Sequence, residues 1–99
     1  MTPSFIHPKA ESELYSAFTW YEKKNKGLGI EFDDDFARTL QRIESNPLQF
    51  SADEHECRAC PFERFPYTVY YRVMPEGIYV WAVAHQSRQN NYWIQRLAP

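Results

Sequence analysis

The sequence predicts an α+β fold with one domain over residues 1–99, in which a short N-terminal strand and an antiparallel helix pair pack on a small, mainly antiparallel β-sheet. Three observations support this prediction. Two successive stretches repeat apolar residues at three- and four-residue steps, as amphipathic helices do. An aromatic strand pair flanks the turn signal Pro75-Glu76-Gly77. The length of 99 residues suits one domain with a small but sufficient core.

The composition is that of a folded protein. Hydrophobic residues make up 43% of the chain and aromatic residues 17%, which excludes a disordered chain. No apolar run approaches the roughly 20 residues of a membrane span, and the N-terminus lacks the basic and apolar regions of a signal peptide. The sequence therefore predicts a cytoplasmic protein without a membrane partner.

Charge is distributed unevenly along the chain, whose net charge is −2. Residues 1–56 hold six Lys/Arg and eleven Asp/Glu, whereas residues 57–99 hold five Arg, no Lys and two Glu. The slightly acidic total argues against a general nucleic-acid binder. Arginine suits bidentate contacts with phosphate or carboxylate, although a solvated, randomly charged surface explains numbers of this size equally well.

The first half predicts a short strand followed by a helix. Ser4 to His7 can form the strand, and Pro8 ends it and suits the first position of a helix. The helix is expected from Lys9 to about Lys24. Its apolar face is formed by Ala10, Leu14, Ala17, Phe18 and Tyr21. The break after it, residues 25–29, contains Gly27 and Gly29, which supply backbone freedom.

A second helix is expected from about Leu28 or Ile30 to Ser45, where Asn46-Pro47 stops it. Its buried stripe is formed by Phe32, Phe36, Leu40 and Ile43. Three consecutive carboxylates, Asp33 to Asp35, lie near its start, where they complement the helix dipole and favour solubility. Because the connection is short, the two helices are predicted to be an antiparallel pair.

Cys57 to Phe65 reads as a weak strand interrupted at Pro61. Cys57 and Cys60 are three positions apart, so on a strand they face opposite sides of the sheet. They are interpreted as two ordinary reduced cysteines, since a structural zinc site needs about four ligands and His55 is the single obvious third. No metal or cofactor is expected.

The strand pair around the turn determines which residues share a face. A four-residue loop from Met74 to Gly77 pairs Val73 with Ile78, and counting outward assigns every following pair. One face, expected to receive the helices, holds Tyr67, Val69, Tyr71, Val73, Ile78, Val80, Ala82 and Ala84. The other face holds Thr68, Tyr70, Arg72, Tyr79, Trp81, Val83 and His85.

This second face carries large rings, an Arg and a His, and no helix remains to cover it. Exposed contiguous aromatics indicate a surface for a partner or ligand. The alternative is that the C-terminal stretch from Gln89 to Leu97 folds back and buries these side chains. The residues alone leave both interpretations open.

The chain resembles the RelE/ParE superfamily of bacterial toxins from type II toxin–antitoxin modules, most closely its ParE-like, plasmid-stabilisation branch. The matching segments are His7-Pro8-Lys9-Ala10-Glu11-Ser12-Glu13-Leu14, Trp20-Tyr21-Glu22, Gly27-Leu28-Gly29 with Glu31-Phe32, the stretch from Arg64 to Val73, and Val83-Ala84-His85-Gln86-Ser87-Arg88. No single motif decides the match, but their order spans nearly the whole chain.

The resemblance implies a small toxin neutralised by a cognate antitoxin. One branch of the family enters the ribosome and cleaves mRNA without a metal, and the other inhibits DNA gyrase. The expected partners are therefore the antitoxin and either gyrase or the ribosome with its mRNA, and self-association into a homodimer is open. A non-toxic binding module derived from the family is a third alternative.

The two mechanisms need different residues. For RNA cleavage, Arg72 and Arg88 could clamp the phosphate, His85 could act as acid or base, and Tyr92 could donate a proton or stack on a base. For a target-binding face the candidates are Arg64, Tyr70, Trp81 and Trp93.

Thr68 occupies a place where the ribonucleases of the family often carry an Arg, and the hairpin has no Lys. Ribosomal RNA is polyanionic, whereas this chain is slightly acidic. Both facts favour a toxin that binds a protein target over a nuclease.

Overall fold

The structure is a computed structural model that describes residues 3–89 and 91–97. It has two layers, a helix pair and a four-stranded mixed sheet, as the sequence predicts. The helices are α1 (Pro8–Lys24) and α2 (Leu28–Ser45). The strands are β1 (Ser4–Ile6), β2 (Arg58–Pro61), β3 (Tyr67–Met74) and β4 (Gly77–His85), and a short 3₁₀ helix follows over Ile94–Leu97.

The sheet has the order β1-β4-β3-β2, with β1 parallel to β4 and the remaining pairs antiparallel. The N-terminal strand therefore adds to the hairpin from the side opposite β2. β1 ends early: the last bond in this region runs from the His7 N–H to the Val80 carbonyl, at 2.9 Å. Beyond Val80, no strand among the described residues lies beside this edge of β4, so its backbone needs other partners.

The turn between the helices depends on two glycines. Gly27 has φ +91°, a left-handed backbone conformation that residues other than glycine rarely adopt. A Cβ on Gly29 would lie 2.8 Å from the Phe18 carbonyl oxygen, so the helices approach closely there. The Glu22 carboxylate accepts from the N–H groups of both glycines, at 2.9 and 3.0 Å, and closes the turn.

Asp35 differs from the other two carboxylates at the start of α2. Asp33 and Asp34 are exposed, as expected, but Asp35 is fully buried. Its carboxylate accepts from the backbone N–H groups of three successive residues in the loop before β3: Glu63 at 3.3 Å, Arg64 at 2.9 Å and Phe65 at 2.9 Å. The prediction of a solvated helix-start charge is wrong for Asp35, which instead ties α2 to that loop.

The register of the hairpin agrees with the prediction only near the turn. Val73 pairs with Ile78 and Tyr71 with Val80, as expected, but Tyr70 then pairs with Ala82. A β-bulge therefore leaves Trp81 as an extra residue on β4. From that point every side chain of β4 changes face relative to the prediction.

The predicted faces of the outer half of β4 are therefore wrong. Val83 and His85 lie on the face that receives the helices, whereas Ala82 lies on the second face with Tyr70. The main core between helices and sheet includes Phe32, Ile43, Cys60, Phe65, Val69, Tyr71, Ile78, Val80 and Val83.

The C-terminal segment, residues 91–97, covers the second face. Trp93 is 1% exposed and packs its ring on Tyr70 with centroids 4.9 Å apart, and Ala82 and Cys57 complete this smaller cluster. The sequence left open whether this face is exposed or buried by the C-terminal stretch, and the structure shows it partly buried by that stretch. Asn90, which belongs to the stretch named from the sequence, lies outside the described residues.

The two cysteines are free and buried on opposite sides of the sheet. Burial raises the pKa of both thiols, so they are poorer nucleophiles than an exposed cysteine. Their predicted placement on opposite faces is confirmed. Neither helix of the described part of the chain has the length and apolar character that a membrane-spanning segment needs.

Candidate functional site: a groove between the first helix and the sheet

A groove of about 490 Å³ lies between α1 and the outer end of the β3–β4 hairpin. Its lining comes from three places in the chain: Ser12, Glu13, Ser16, Ala17, Trp20 and Tyr21 on α1, Tyr67 on β3, and Val83, His85 and Arg88 on and after β4. The aromatic side chains form the apolar part, and Glu13, His85 and Arg88 place polar groups along it. The bulge at Trp81 creates this arrangement, because without it His85 would face away from α1.

Glu13 is the most heavily bonded side chain of the groove. Its carboxylate accepts from the Val83 N–H at 3.0 Å, where β1 no longer pairs with β4. It also accepts from the Tyr92 hydroxyl, and from the guanidinium of Arg96 through two nitrogens, at 3.0 and 2.9 Å. Arg88 lies 3.7 Å from the same carboxylate. The Arg96 guanidinium also donates to the Trp81 carbonyl at 2.9 Å, so this ion pair satisfies both backbone groups at the open edge of β4.

The protonation of this cluster follows from these contacts. Burial by itself raises the pKa of Glu13, but hydrogen bonds from Arg96, Tyr92 and the Val83 N–H outweigh it and hold the pKa below its ordinary value. Burial and the bond to Glu13 raise the pKa of Tyr92 well above that of a free tyrosine. Near neutral pH Glu13 is therefore an anion and Tyr92 keeps its proton.

Arg88 is the most exposed cation of the groove. Its guanidinium lies 3.7 Å from the centroid of the Tyr92 ring, the distance of a stacked cation–π contact, and its side chain is 55% exposed. Since Tyr92 and Arg96 already occupy the Glu13 carboxylate, the 3.7 Å contact of Arg88 with it is the weakest in the cluster. Arg88 can thus offer its outer nitrogens to an incoming acceptor.

His85 has a defined orientation at the other side of the groove. Its ring lies edge-on to Tyr67, with centroids 5.1 Å apart, and its Nδ1 accepts from the Ser87 N–H at 3.0 Å. Because Nδ1 is the acceptor, the neutral ring carries its proton on Nε2. His85 and Arg88 therefore line one groove, and Tyr92 joins them through its stacking on Arg88.

Arg72 does not join this group. It lies on the second face of the sheet, where it donates to the His55 carbonyl at 2.5 Å, and its Nε is buried without a partner among the described residues. The structure thus brings together three of the four residues considered for RNA cleavage and leaves the fourth across the sheet.

The residues considered for a target-binding face lie in different places. Arg64 forms an ion pair with Glu31 on α2. Tyr70 and Trp81 are half-buried on the second face, and Trp93, from the C-terminal segment, is buried against that face. Half-buried Trp81 also contacts His7, with ring centroids 5.6 Å apart. These four side chains do not form one continuous surface in this structure.

Sequence reasoning missed two members of the groove cluster, Glu13 and Arg96. A signal for Glu13 was present: it lies three residues after Ala10 and four before Ala17, on the buried stripe of α1. A carboxylate on such a stripe requires a partner, which points to one of the arginines of the second half. No comparable signal identified Arg96.

Comparisons with known proteins agree with this architecture. Residues 5–90 match the family model described as the ParE toxin of the type II toxin–antitoxin system parDE. A solved structure entitled a chromosomal ParDE TA system from P. aeruginosa superposes with a TM-score of 0.74 at 17% sequence identity, covering 86% of this chain and 96% of its own. That likeness shows the shared fold. No curated protein sequence matches the chain. Because the family model spans most of its length, the chain belongs to the ParE toxin family of type II toxin–antitoxin systems.

Proposed function

We propose that this chain is the growth-inhibiting toxin of a type II pair, that a cognate antitoxin protein neutralises it, and that it acts by binding a protein target, with DNA gyrase as the target expected from its branch of the family. Family membership over residues 5–90 supports the toxin role. The similar structure, which is entitled a ParDE system, supports an antitoxin partner.

One observation supports binding over RNA cleavage: the groups that cleavage would need are separated or already engaged. Arg72 lies across the sheet and is bonded to the His55 carbonyl. The Tyr92 hydroxyl donates to Glu13, and its raised pKa makes it a poorer proton donor than a free tyrosine. A phosphate in the groove would meet Arg88 but also the buried carboxylate of Glu13, whose charge opposes it.

The groove has the properties of a protein-binding surface. Trp20 is 55% exposed at one end, and Arg88 is half-exposed at the other. Trp, Tyr and Arg are the side chains that most often dominate the binding energy of protein interfaces. We infer that these two residues are the main contacts for the target or for the antitoxin.

RNA cleavage remains the second candidate because His85 and Arg88 share the groove and histidine is the most common acid–base residue of enzymes. A non-toxic binding module is the third. The three candidates differ in what the chain does in a growing cell, and one set of strains separates them.

Induction of the parent chain alone in a bacterium is expected to arrest growth while transcripts stay intact. Arg88→Ala should weaken the inhibition by about tenfold or more, since it removes an interface arginine. Arg38→Ala is the matched control, because Arg38 is half-exposed on α2 outside the groove, and it should inhibit like the parent. Growth would be scored against inducer concentration, and transcript ends would be mapped on translating ribosomes.

Two results contradict the proposal. Codon-phased mRNA cuts that disappear in His85→Ala would establish the ribonuclease instead. Unimpaired growth with the parent chain at full expression would exclude both toxic mechanisms and leave the binding module.

A further inference from the structure

The C-terminal segment has little structure of its own. Its 3₁₀ helix is four residues long, Ile94–Leu97, which is too short to be stable alone. Of its apolar side chains, Trp93 is fully buried, and Tyr92, Ile94 and Leu97 are only partly buried. The face beneath it also contains two buried donors without a partner among the described residues, Arg72 Nε and Trp81 Nε1. Apart from Trp93, the apolar side chains of this segment therefore contribute little to its attachment.

The strongest polar attachment of the segment is a carboxylate far away in the sequence. Glu13 accepts from Tyr92 and, bidentately, from Arg96, so it bonds the C-terminal segment at two residues four positions apart. The side chains of Glu13 and Arg96 are 14% and 10% exposed, so water screens the pair poorly. The fork geometry of arginine on a carboxylate is a strong form of this contact.

The same carboxylate determines where Arg88 lies. The Arg88 guanidinium rests on the Tyr92 ring at 3.7 Å, and the Tyr92 hydroxyl is bonded to Glu13. The direct Arg88–Glu13 distance of 3.7 Å is longer than a hydrogen bond. Glu13 therefore acts on Arg88 mainly through the ring on which it stacks.

We propose that Glu13 is a positioning residue: its carboxylate attaches residues 91–97 to the sheet through its bonds to Tyr92 and Arg96, which together we call the latch. Through Tyr92 it also holds the Arg88 guanidinium at the groove. When the latch opens, the segment leaves the second face, Trp93 becomes exposed, and Arg88 loses its position. The importance of Arg88 for toxicity rests on the proposed function, whereas the latch itself does not.

Glu13→Gln tests the latch, because the amide keeps an acceptor for the Val83 N–H but loses the charge that binds Arg96. The amide protons of Ile94 and Arg96, which donate to the Asn91 and Trp93 carbonyls at 3.1 and 2.9 Å, would be followed by hydrogen exchange. Their exchange should accelerate by about tenfold or more in Glu13→Gln, while the amides of β3 keep their protection. Glu11→Gln makes the same change on the same helix at an exposed position and should leave exchange unchanged.

The position of Arg88 is read from its Nε–H proton by NMR. In the parent the Tyr92 ring beneath the guanidinium should shift this signal upfield, and the shift should disappear in Glu13→Gln. If Glu13→Gln does not fold, Arg96→Gln breaks the same contact from the other side, and both predictions apply to it. Arg88→Gln removes a cation that is not part of the latch, so residues 91–97 should stay protected in it.

Unchanged exchange of residues 91–97 in both latch variants would overturn the latch. Faster exchange with an unchanged Arg88 signal would overturn the positioning of Arg88. Where the parent arrests growth, Glu13→Gln should weaken inhibition to the same extent as Arg88→Ala, and full inhibition would contradict the link to toxicity. A parent without any effect on growth refutes the proposed function, and the exchange and NMR results still decide the inference.

Discussion

Replacement of Asp35 by Ala is expected to lower the free energy of unfolding by about 3–5 kcal/mol, because three backbone N–H groups lose a charged acceptor and each hydrogen bond to a charged group contributes about 1.5–3 kcal/mol. The three donors, on Glu63, Arg64 and Phe65, are held by one fully buried carboxylate at 2.9 to 3.3 Å. Urea-induced unfolding, followed by circular dichroism, measures the change.

The neighbouring carboxylate supplies the control for this variant. Asp34 is exposed one residue earlier on the same helix, so Asp34→Ala should change stability by less than about 0.5 kcal/mol. If the free energy of unfolding of Asp35→Ala lies within about 1 kcal/mol of that of the parent, the loop before β3 does not depend on this carboxylate.

Trp93→Ala is also expected to lower the free energy of unfolding by about 3–5 kcal/mol, since it leaves a cavity at the centre of the cluster on the second face. Trp93 is 1% exposed and stacks on Tyr70 at 4.9 Å. The variant should also expose Cys57, which is 3% exposed in the parent, to a thiol reagent. Thermal unfolding and the rate of thiol modification measure the two effects.

Trp20 provides the matched control, because it is the same residue type with 55% exposure on α1. Trp20→Ala should lower the free energy of unfolding by less than about 1 kcal/mol and leave Cys57 protected from the thiol reagent. Equal stability of the two tryptophan variants would mean that the C-terminal segment does not contribute to the core.

Much of the fold could be predicted from local patterns. The helix pair follows from apolar steps of three and four residues and from the break at Gly27, and both bounds of α2 agree with the expectation. The turn at residues 75–77 predicted the innermost pairs of the hairpin correctly. Each of these features is determined by residues close together in the sequence.

The outer half of β4 could not be predicted in the same way. Residues 78–84 of β4 are almost all apolar because both faces of the strand are covered, so no alternation of polar and apolar residues marks the bulge at Trp81. That single extra residue moves His85 from the second face to the groove. The sequence therefore placed His85 on the wrong side of the sheet, and of the other residues considered for RNA cleavage Arg72 lies outside the groove.

Two buried carboxylates illustrate a signal that sequence reasoning can use. Glu13 and Asp35 both lie on the apolar stripes of their helices, and each is bonded to a distant part of the chain. The stripe predicts that such a carboxylate is paired, since an unpaired buried charge is costly. It does not predict the partner, because the Val83, Arg96 and Arg64 contacts depend on how the sheet folds over the helices.

A DNA supercoiling assay with purified gyrase tests the proposal that this ParE-family chain inhibits a protein target. The purified chain, in micromolar excess, is expected to block supercoiling, Arg38→Ala to block it equally, and Arg88→Ala to block it about tenfold less well. Full supercoiling activity in the presence of the folded parent chain would exclude gyrase as the target.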